Sequence, residues 1–128
     1  MNQKIKILMI DDHPMIIEGY QNTLLFTKKE NQVLEIDIAN NCDEAIAFMD
    51  KAVEKEIIYN LRKAYPTHCF HGEEGGYIEG EDKDSEWIID PIDGTTNFIN
   101  GIPHFAISLA YSYKGKLQHA VILDPSKQ

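Results

Sequence analysis

Acidic and hydroxyl side chains near the middle of the chain have the composition of a metal site beside a phosphate site. Asp90 and Asp93 stand at the end of an apolar segment, and Glu73 precedes Asp90 by seventeen positions. Carboxylates are hard oxygen ligands, so this set favours Mg²⁺ over zinc. The Gly-Thr-Thr stretch at 94–96 follows directly, and its backbone N–H groups and hydroxyls would suit a phosphate oxygen. The alternative interpretation is an acidic turn followed by a Thr-capped helix.

A second acidic pair, Asp11 and Asp12, follows an apolar run near the N-terminus. Open α/β sheets place ligand groups at such a position, just after a strand and just before a helix. Because adjacent like charges repel, a bound divalent cation would explain why both acids stand there. The alternative is that Asp12 caps the helix while Asp11 is solvated.

The residues around this pair predict a strand, a helix and a second strand. The apolar run at 4–10 is typical of a parallel strand buried on both faces. Pro14 opens a segment whose apolar residues recur at helical spacing as far as residue 25, and residues 33–39 alternate as in a strand buried on one side. A right-handed crossover between two parallel strands is the expected geometry.

The remainder of the chain predicts one long helix followed mainly by strands. Apolar residues at 46, 49, 53, 57, 61 and 64 recur in steps of three or four and stop at Pro66, which predicts a helix over residues 43–65. The charged stretch 79–86 indicates a solvated loop. Residues 87–89 predict a short strand that ends at Asp90, and residues 105–113 and 117–123 predict a hairpin. We therefore predict an α/β fold with a mixed sheet and flanking helices.

Composition limits the class of protein and its partners. The chain has 128 residues, 43% hydrophobic and 26% charged, which indicates one globular domain or two incomplete ones. Its net charge of −9 argues against a nucleic-acid partner, because phosphate-backbone affinity comes from clustered basic residues. No apolar run is long enough to span a membrane, so no membrane partner is expected. Cys42 and Cys69 follow a start without a signal-peptide core, which favours reduced thiols and a cytoplasmic location.

The N-terminal segment resembles the start of a bacterial response-regulator receiver domain. The resemblance covers residues 3–47 and is carried by Lys-Ile-Lys-Ile-Leu-Met-Ile-Asp-Asp-His-Pro-Met-Ile-Ile-Glu-Gly at 4–19 and Ile-Asp-Ile-Ala-Asn-Asn-Cys-Asp-Glu-Ala at 36–45. It implies that Asp11 and Asp12 hold Mg²⁺ beside a phospho-accepting aspartate at the end of a third strand. That aspartate and the family's later Ser or Thr and Lys do not follow in their expected context, so phosphotransfer is not expected.

Residues 48–128 resemble the inositol monophosphatase family, particularly its bacterial members. The main signature is Trp-Ile-Ile-Asp-Pro-Ile-Asp-Gly-Thr-Thr-Asn-Phe at 87–98, supported by Asp-Lys-Ala-Val-Glu at 50–54, Gly-Glu-Glu at 72–74 and Gly-Ile-Pro-His-Phe-Ala-Ile-Ser at 101–108. The resemblance implies a Mg²⁺-dependent phosphomonoesterase. It assigns the metal ligands to Glu73, Asp90, Asp93 and the carbonyl oxygen of Ile92.

The same resemblance assigns the groups around the attacking water and the substrate phosphate. Thr95 would position the water with Asp50 supporting it, and Glu73 would help to hold it. The resemblance makes Gly94 and Thr95 backbone donors to the substrate phosphate, to which the local Gly-Thr-Thr pattern adds Thr96, and the substrate would be a small phosphorylated molecule.

The two resemblances together indicate a chimera of segments 1–47 and 48–128, joined near residues 47–49 and folded as one compact domain. Because the chain ends at Gln128, before the family's second half, we expect a Mg²⁺-site fragment of a phosphomonoesterase with weak or absent turnover. The alternatives are a non-catalytic chimera or interaction scaffold and, third, a truncated receiver module. Self-association through an exposed sheet edge is a further expectation.

Overall fold

A computed structural model describes residues 3–127, which divide into two compact units with the boundary between Phe48 and Met49. The first unit contains strand β1 (Gln3–Ile10), helix α1 (Pro14–Thr27) and strand β2 (Gln32–Ala39). Helix α2 (Cys42–Ala64) begins in the first unit and continues in the second. The second unit then contains strands β3 (His68–Gly72), β4 (Gly76–Ile78) and β5 (Asp82–Asp93), helix α3 (Thr95–Ile99), and strands β6 (Ala106–Tyr113) and β7 (Lys116–Leu123).

The first unit is the predicted β-α-β arrangement with parallel strands. β1 and β2 pair in a two-stranded sheet, and their register brings Ile10 opposite Ala39. Pro14 occupies the first turn of α1, as predicted from its fixed φ. The expectation that β1 is buried on both faces is wrong, because Ile10 is 55% exposed. Burial on both faces needs covering elements on each side of a wider sheet, and within the described residues β2 is the single strand paired with β1.

Helix α2 confirms the long helix predicted from the apolar spacing. Its start is fixed by a reciprocal cap, in which the Asn41 side chain accepts the Glu44 N–H at 2.8 Å and the Glu44 carboxylate accepts the Asn40 N–H at 2.9 Å. Its deepest positions in the second unit include two acids, Asp50 and Glu54. The buried face of α2 is therefore not purely apolar.

The second unit contains a five-stranded mixed sheet in the order β4-β3-β5-β6-β7. β3 and β5 run parallel, whereas all other neighbours are antiparallel. This confirms the predicted α/β class with a mixed sheet and flanking helices. The core lies where α2 meets the sheet and is built from Ile58, Phe70 and Ile89, with Ile57, Leu61, Ile78, Trp87 and Leu109 packed against it.

The charged stretch at 79–86 is not entirely the predicted loop, because β5 already begins at Asp82. Ser85 pairs with Tyr113 of β6, and Glu86 lies between Cys69 of β3 and Ser112 of β6. Ser85 is only 2% exposed. Pairing on both sides therefore holds a charged sequence in extended form, and local charge alone gave the wrong assignment there.

The hairpin of β6 and β7 is confirmed, with a two-residue turn at Lys114 and Gly115. Both residues have positive φ, 51° and 70°, which is the backbone of a type I′ turn. Within the described strands, β7 pairs only with β6, and all of its residues are exposed. Over the part of the chain that the structure describes, no helix is long and apolar enough to cross a bilayer.

Candidate metal centre

The parallel pairing of β3 and β5 brings two acids together at the carboxyl ends of both strands. Gly72, the last residue of β3, lies opposite Ile89, and Asp90 follows Ile89 within β5. The N–H of Glu73 donates to the carbonyl of Ile89 at 3.2 Å. The backbone register therefore fixes Glu73 beside Asp90, although the two are distant in sequence.

The side chain of Asp90 is close enough to Glu73 to perturb the Glu73 carboxyl group. This proximity raises the pKa of Glu73, first through a hydrogen bond with Asp90 and then through the negative charge of Asp90, with smaller contributions from burial and from Asp50 and Glu74. A proton shared between two carboxylates relieves their repulsion. A divalent cation would do the same with both groups ionised.

Asp50 approaches the same acids from helix α2. It is 5% exposed, and its pKa is raised to about 6, first by burial and then by the charges of Glu74, Asp90 and Glu54. Within the described residues, Oδ1 of Asp50 and Oδ1 of Asp90 are the two buried side-chain oxygens without a hydrogen-bond partner. Buried polar atoms without partners are uncommon in folded proteins. Buried carboxylate oxygens without a partner are the donors that a hard cation requires, so the residues fit Mg²⁺.

Glu54 is a residue of this site that our sequence analysis did not single out. It is 2% exposed, and its carboxylate accepts the N–H groups of Glu74 at 2.8 Å and Gly75 at 2.7 Å. A Cβ at Gly72 would lie 2.4 Å from the Glu54 carboxyl carbon, so that glycine lets the backbone approach the carboxylate. Glu54 thus holds the turn that carries Glu73. The signal was its position one helical turn after Asp50, on the inward face of α2.

The turn after β5 positions the hydroxyl of Thr95. Gly94 has a φ of +91° and forms the N-cap of α3, and a Cβ there would meet the His104 carbonyl oxygen at 3.0 Å. The Thr95 hydroxyl donates to the Ile92 carbonyl at 2.9 Å, while Thr96 is exposed. The expected carbonyl ligand of Ile92 is thus fixed in place by Thr95. The alternative of a Thr-capped helix is wrong, since the cap is Gly94 and no side chain caps the helix.

Asp93 does not form one close group with Glu73 and Asp90. Within the described residues, these three do not form a group whose ligand atoms all lie within 4.8 Å of one another, and neither does Asp50 with the pair. The register of β5 against β6 shifts between Asp90 and Asp93. Asp93 is exposed and lines a cavity of about 420 Å³ with Asp124. The structure therefore sets Glu73 beside Asp90, and the place of Asp93 in the ligand set stays a prediction.

The N-terminal acids form a separate group with His13. Asp11, Asp12 and His13 have ligand atoms within 4.8 Å of one another. The Asp11 carboxylate accepts the His13 N–H at 2.8 Å, and Asp12 lies 2.7 Å from His13 Nδ1. The suggestion that Asp12 caps α1 is wrong, because the N-cap is His13 and no side chain caps that helix.

Comparison with known proteins places this arrangement among related sequences and structures. The Nus factor SuhB of Pseudomonas aeruginosa is 62% identical over 82 residues, covering 62% of this chain and 30% of that protein. The crystal structure of the extragenic suppressor protein SuhB from Bartonella henselae has a TM-score of 0.62 at 44% identity and covers 66% of this chain and 35% of that one. An inositol monophosphatase from Anabaena (Nostoc) has a TM-score of 0.56 at 34% identity, covering 63% and 34%.

The chain spans about a third of the length of these relatives. The sequence model of the inositol monophosphatase family matches residues 14–128. This match includes the carboxyl end of β5, and it also reaches into α1 and β2, which we compared with a receiver domain. Since most of its residues match, the chain belongs to the inositol monophosphatase family.

Proposed function

We propose that this chain carries the Mg²⁺ site of a phosphomonoesterase that acts on small phosphorylated molecules. The observation that supports this most directly is the strand register that sets Glu73 beside Asp90, together with the buried Asp50 of helix α2. Two buried oxygens of this set lack a partner, which a hard cation would provide. Family membership supports the same reaction class.

Each residue has a role that follows from its position. Glu73 and Asp90 would hold the cation, and the fixed carbonyl of Ile92 would be an additional oxygen donor. The Thr95 hydroxyl donates to Ile92, so its oxygen is free to accept a hydrogen bond from a water and orient it. When bound, Mg²⁺ supplies Lewis-acid stabilisation of phosphate oxygens and activates water.

The substrate phosphate would be met at the turn between β5 and α3. Gly94 has a left-handed backbone, and the N–H groups of Thr95 and Thr96 that follow it would be the donors to a phosphate oxygen. We expect slow turnover in this chain, because Asp93 does not join Glu73 and Asp90 in one ligand group. A second cation would therefore bind weakly. The stabilisation that it would give to the leaving oxygen would be reduced as well.

Calorimetric titration with MgCl₂ tests the proposal. We expect one site that is lost in Asp90→Asn and retained in Asp12→Asn, a control that removes the same charge from the N-terminal acidic group. Hydrolysis of a phosphomonoester should then require Mg²⁺ and fall in Asp90→Asn. Equal heats in all three proteins, or Mg²⁺ binding lost only in Asp12→Asn, would refute the assignment to β5.

We propose as a second candidate that residues 3–47 form a receiver-like unit fused to the phosphatase segment. This is supported by the parallel pairing of β1 and β2 and by the grouping of Asp11 and Asp12 directly after β1. The sheet of this unit has two strands in the described residues, so no third strand offers a phospho-accepting aspartate. Incubation with acetyl phosphate should leave the protein unlabelled. If an aspartate is labelled, the unit is a functional receiver and our expectation that it is inert is wrong.

A further inference from the structure

A candidate for an additional binding site is a cavity beside helix α2 that borders Glu54 and Glu74. It has a volume of about 610 Å³, within the range of ligand and peptide sites, and lies between α2 and the segment from Glu74 to Ile78. We call it the α2 groove and define it by Lys51, Lys55, Ile58, Tyr59, Lys63 and Ile78.

The wall formed by α2 is basic. Lys51, Lys55 and Lys63 recur every four or eight residues and so lie along one flank of the helix, and Arg62 lines the same cavity. Within the described residues, none of these four forms an ion pair shorter than 4.0 Å. They are four of only twelve basic residues in a chain of net charge −9, so the groove is a local positive patch on an acidic molecule.

Two acids line the same cavity and do not balance its four cations. The carboxylate of Glu54 is buried and already accepts the N–H groups of Glu74 and Gly75, whereas Glu74 is exposed. The wall therefore keeps an excess of positive charge, which favours an anionic partner.

The floor of the groove is apolar. Ile58 belongs to the core and is 8% exposed, and Ile78 lies half-buried against the same core. Tyr59 is 57% exposed, and the Lys63 ammonium lies 4.0 Å from the centre of its ring. An exposed tyrosine under a lysine offers both a stacking surface and a charge, which are features enriched at protein interfaces.

We propose that the α2 groove binds an acidic peptide segment of a partner protein, with an aromatic or aliphatic anchor on Ile58 and Ile78. Charge complementarity sets the sign of the partner, and the apolar floor requires an anchor that a phosphate backbone lacks. A long polyanion would also be repelled by the net charge of −9, whereas a short segment senses mainly the groove. This proposal does not require bound Mg²⁺, although Glu54 borders both the groove and the metal site.

Fluorescence anisotropy with a labelled synthetic peptide tests it. The probe is a peptide of about 12 residues, rich in Glu, with Phe and Leu at its centre. We expect saturable binding that weakens at least about tenfold in Lys55→Glu with Lys63→Glu and also weakens as salt is raised. The matched control, Lys28→Glu with Lys29→Glu, makes the same charge change on exposed residues of the first unit and should change binding less than about twofold.

Two further arms separate the anchor and the partner class. Tyr59→Ser keeps all four cations and should also weaken binding, as should a probe with Ser in place of Phe and Leu. Absence of binding, equal loss in the two charge-reversal proteins, or no effect of removing the anchor would overturn the proposal. A single-stranded oligonucleotide that binds more tightly than the peptide, with the same dependence on Lys55 and Lys63, would also overturn it. Unchanged circular dichroism in each variant verifies that the proteins are folded.

Discussion

Replacement of Asp50 by asparagine should stabilise the metal-free protein at neutral and alkaline pH. Asp50 is buried, and its pKa is raised from 3.8 to about 6 by burial and by the charges of Glu74, Asp90 and Glu54. The folded state therefore holds this proton more tightly than the unfolded state does. Stability is lost as pH rises from about 4 to about 6, and the loss is complete above that range.

The size of the effect follows from the same values. A pKa raised from 3.8 to about 6 corresponds to about 3 kcal/mol between the neutral and the charged carboxyl, at 1.36 kcal/mol per pKa unit. Asparagine has nearly the shape of the protonated acid but does not ionise. We therefore expect Asp50→Asn to gain up to about 3 kcal/mol at pH 8 and close to nothing at pH 4.

Urea unfolding in EDTA, followed by the fluorescence of Trp87, measures this difference. Trp87 is the single tryptophan and lies in β5, so its signal reports unfolding of the unit that contains Asp50. Saturating Mg²⁺ should shrink the gain, because a bound cation offsets the repulsion that asparagine removes. Glu56→Gln is the control, since it removes one negative charge from an exposed position of the same helix.

Two results would refute this reasoning. A gain that is the same at pH 4 and pH 8 would show that ionisation of Asp50 is not its cause. An equal pH-dependent gain in Glu56→Gln would assign the effect to net charge rather than to burial beside other acids.

Three further predictions concern the support of the site. Glu54→Gln should destabilise the protein by about 1–3 kcal/mol and weaken Mg²⁺ binding in calorimetry. In the native protein the Glu54 carboxylate accepts two backbone N–H groups, and the glutamine NH₂ would face one of them without accepting it. Phe70→Ala should cost about 3–5 kcal/mol in urea unfolding, since Phe70 is fully buried in the core. Gly94→Ala should lower the melting temperature more than Gly101→Ala, because both have positive φ but only Gly94 is crowded, by the His104 carbonyl.

The sequence was sufficient where a regular pattern continued over many residues. The α2 helix was predicted from its apolar spacing and Pro66, and the hairpin of β6 and β7 from alternation around Lys114 and Gly115. The strand start at Asp82 was missed because its neighbours across the sheet, not its own charges, hold it extended. Such long-range pairing has no local signal.

The sequence indicated which residues belong to the candidate metal centre better than it indicated how they are arranged in space. The family resemblance named Glu73, Asp90 and Asp50, whose charges act on one another in the folded chain. The register shift before Asp93 is a property of strand pairing that no spacing rule conveys. Glu54 was missed because a glutamate in an amphipathic helix usually faces solvent. Its burial depends on Gly72 and Gly75, which approach the Glu54 carboxylate only in the folded chain.

The outermost strand β7 has a practical consequence for handling this protein. Leu117, Val121, Ile122 and Leu123 are each more than half exposed, along a strand that pairs on one side only in the described sheet. Mutual repulsion from the net charge of −9 is what keeps such strands on separate molecules apart, and added salt weakens that repulsion. Concentrated stocks are therefore expected to remain clear in dilute buffer and to turn turbid as ionic strength rises, the reverse of ordinary salting-in.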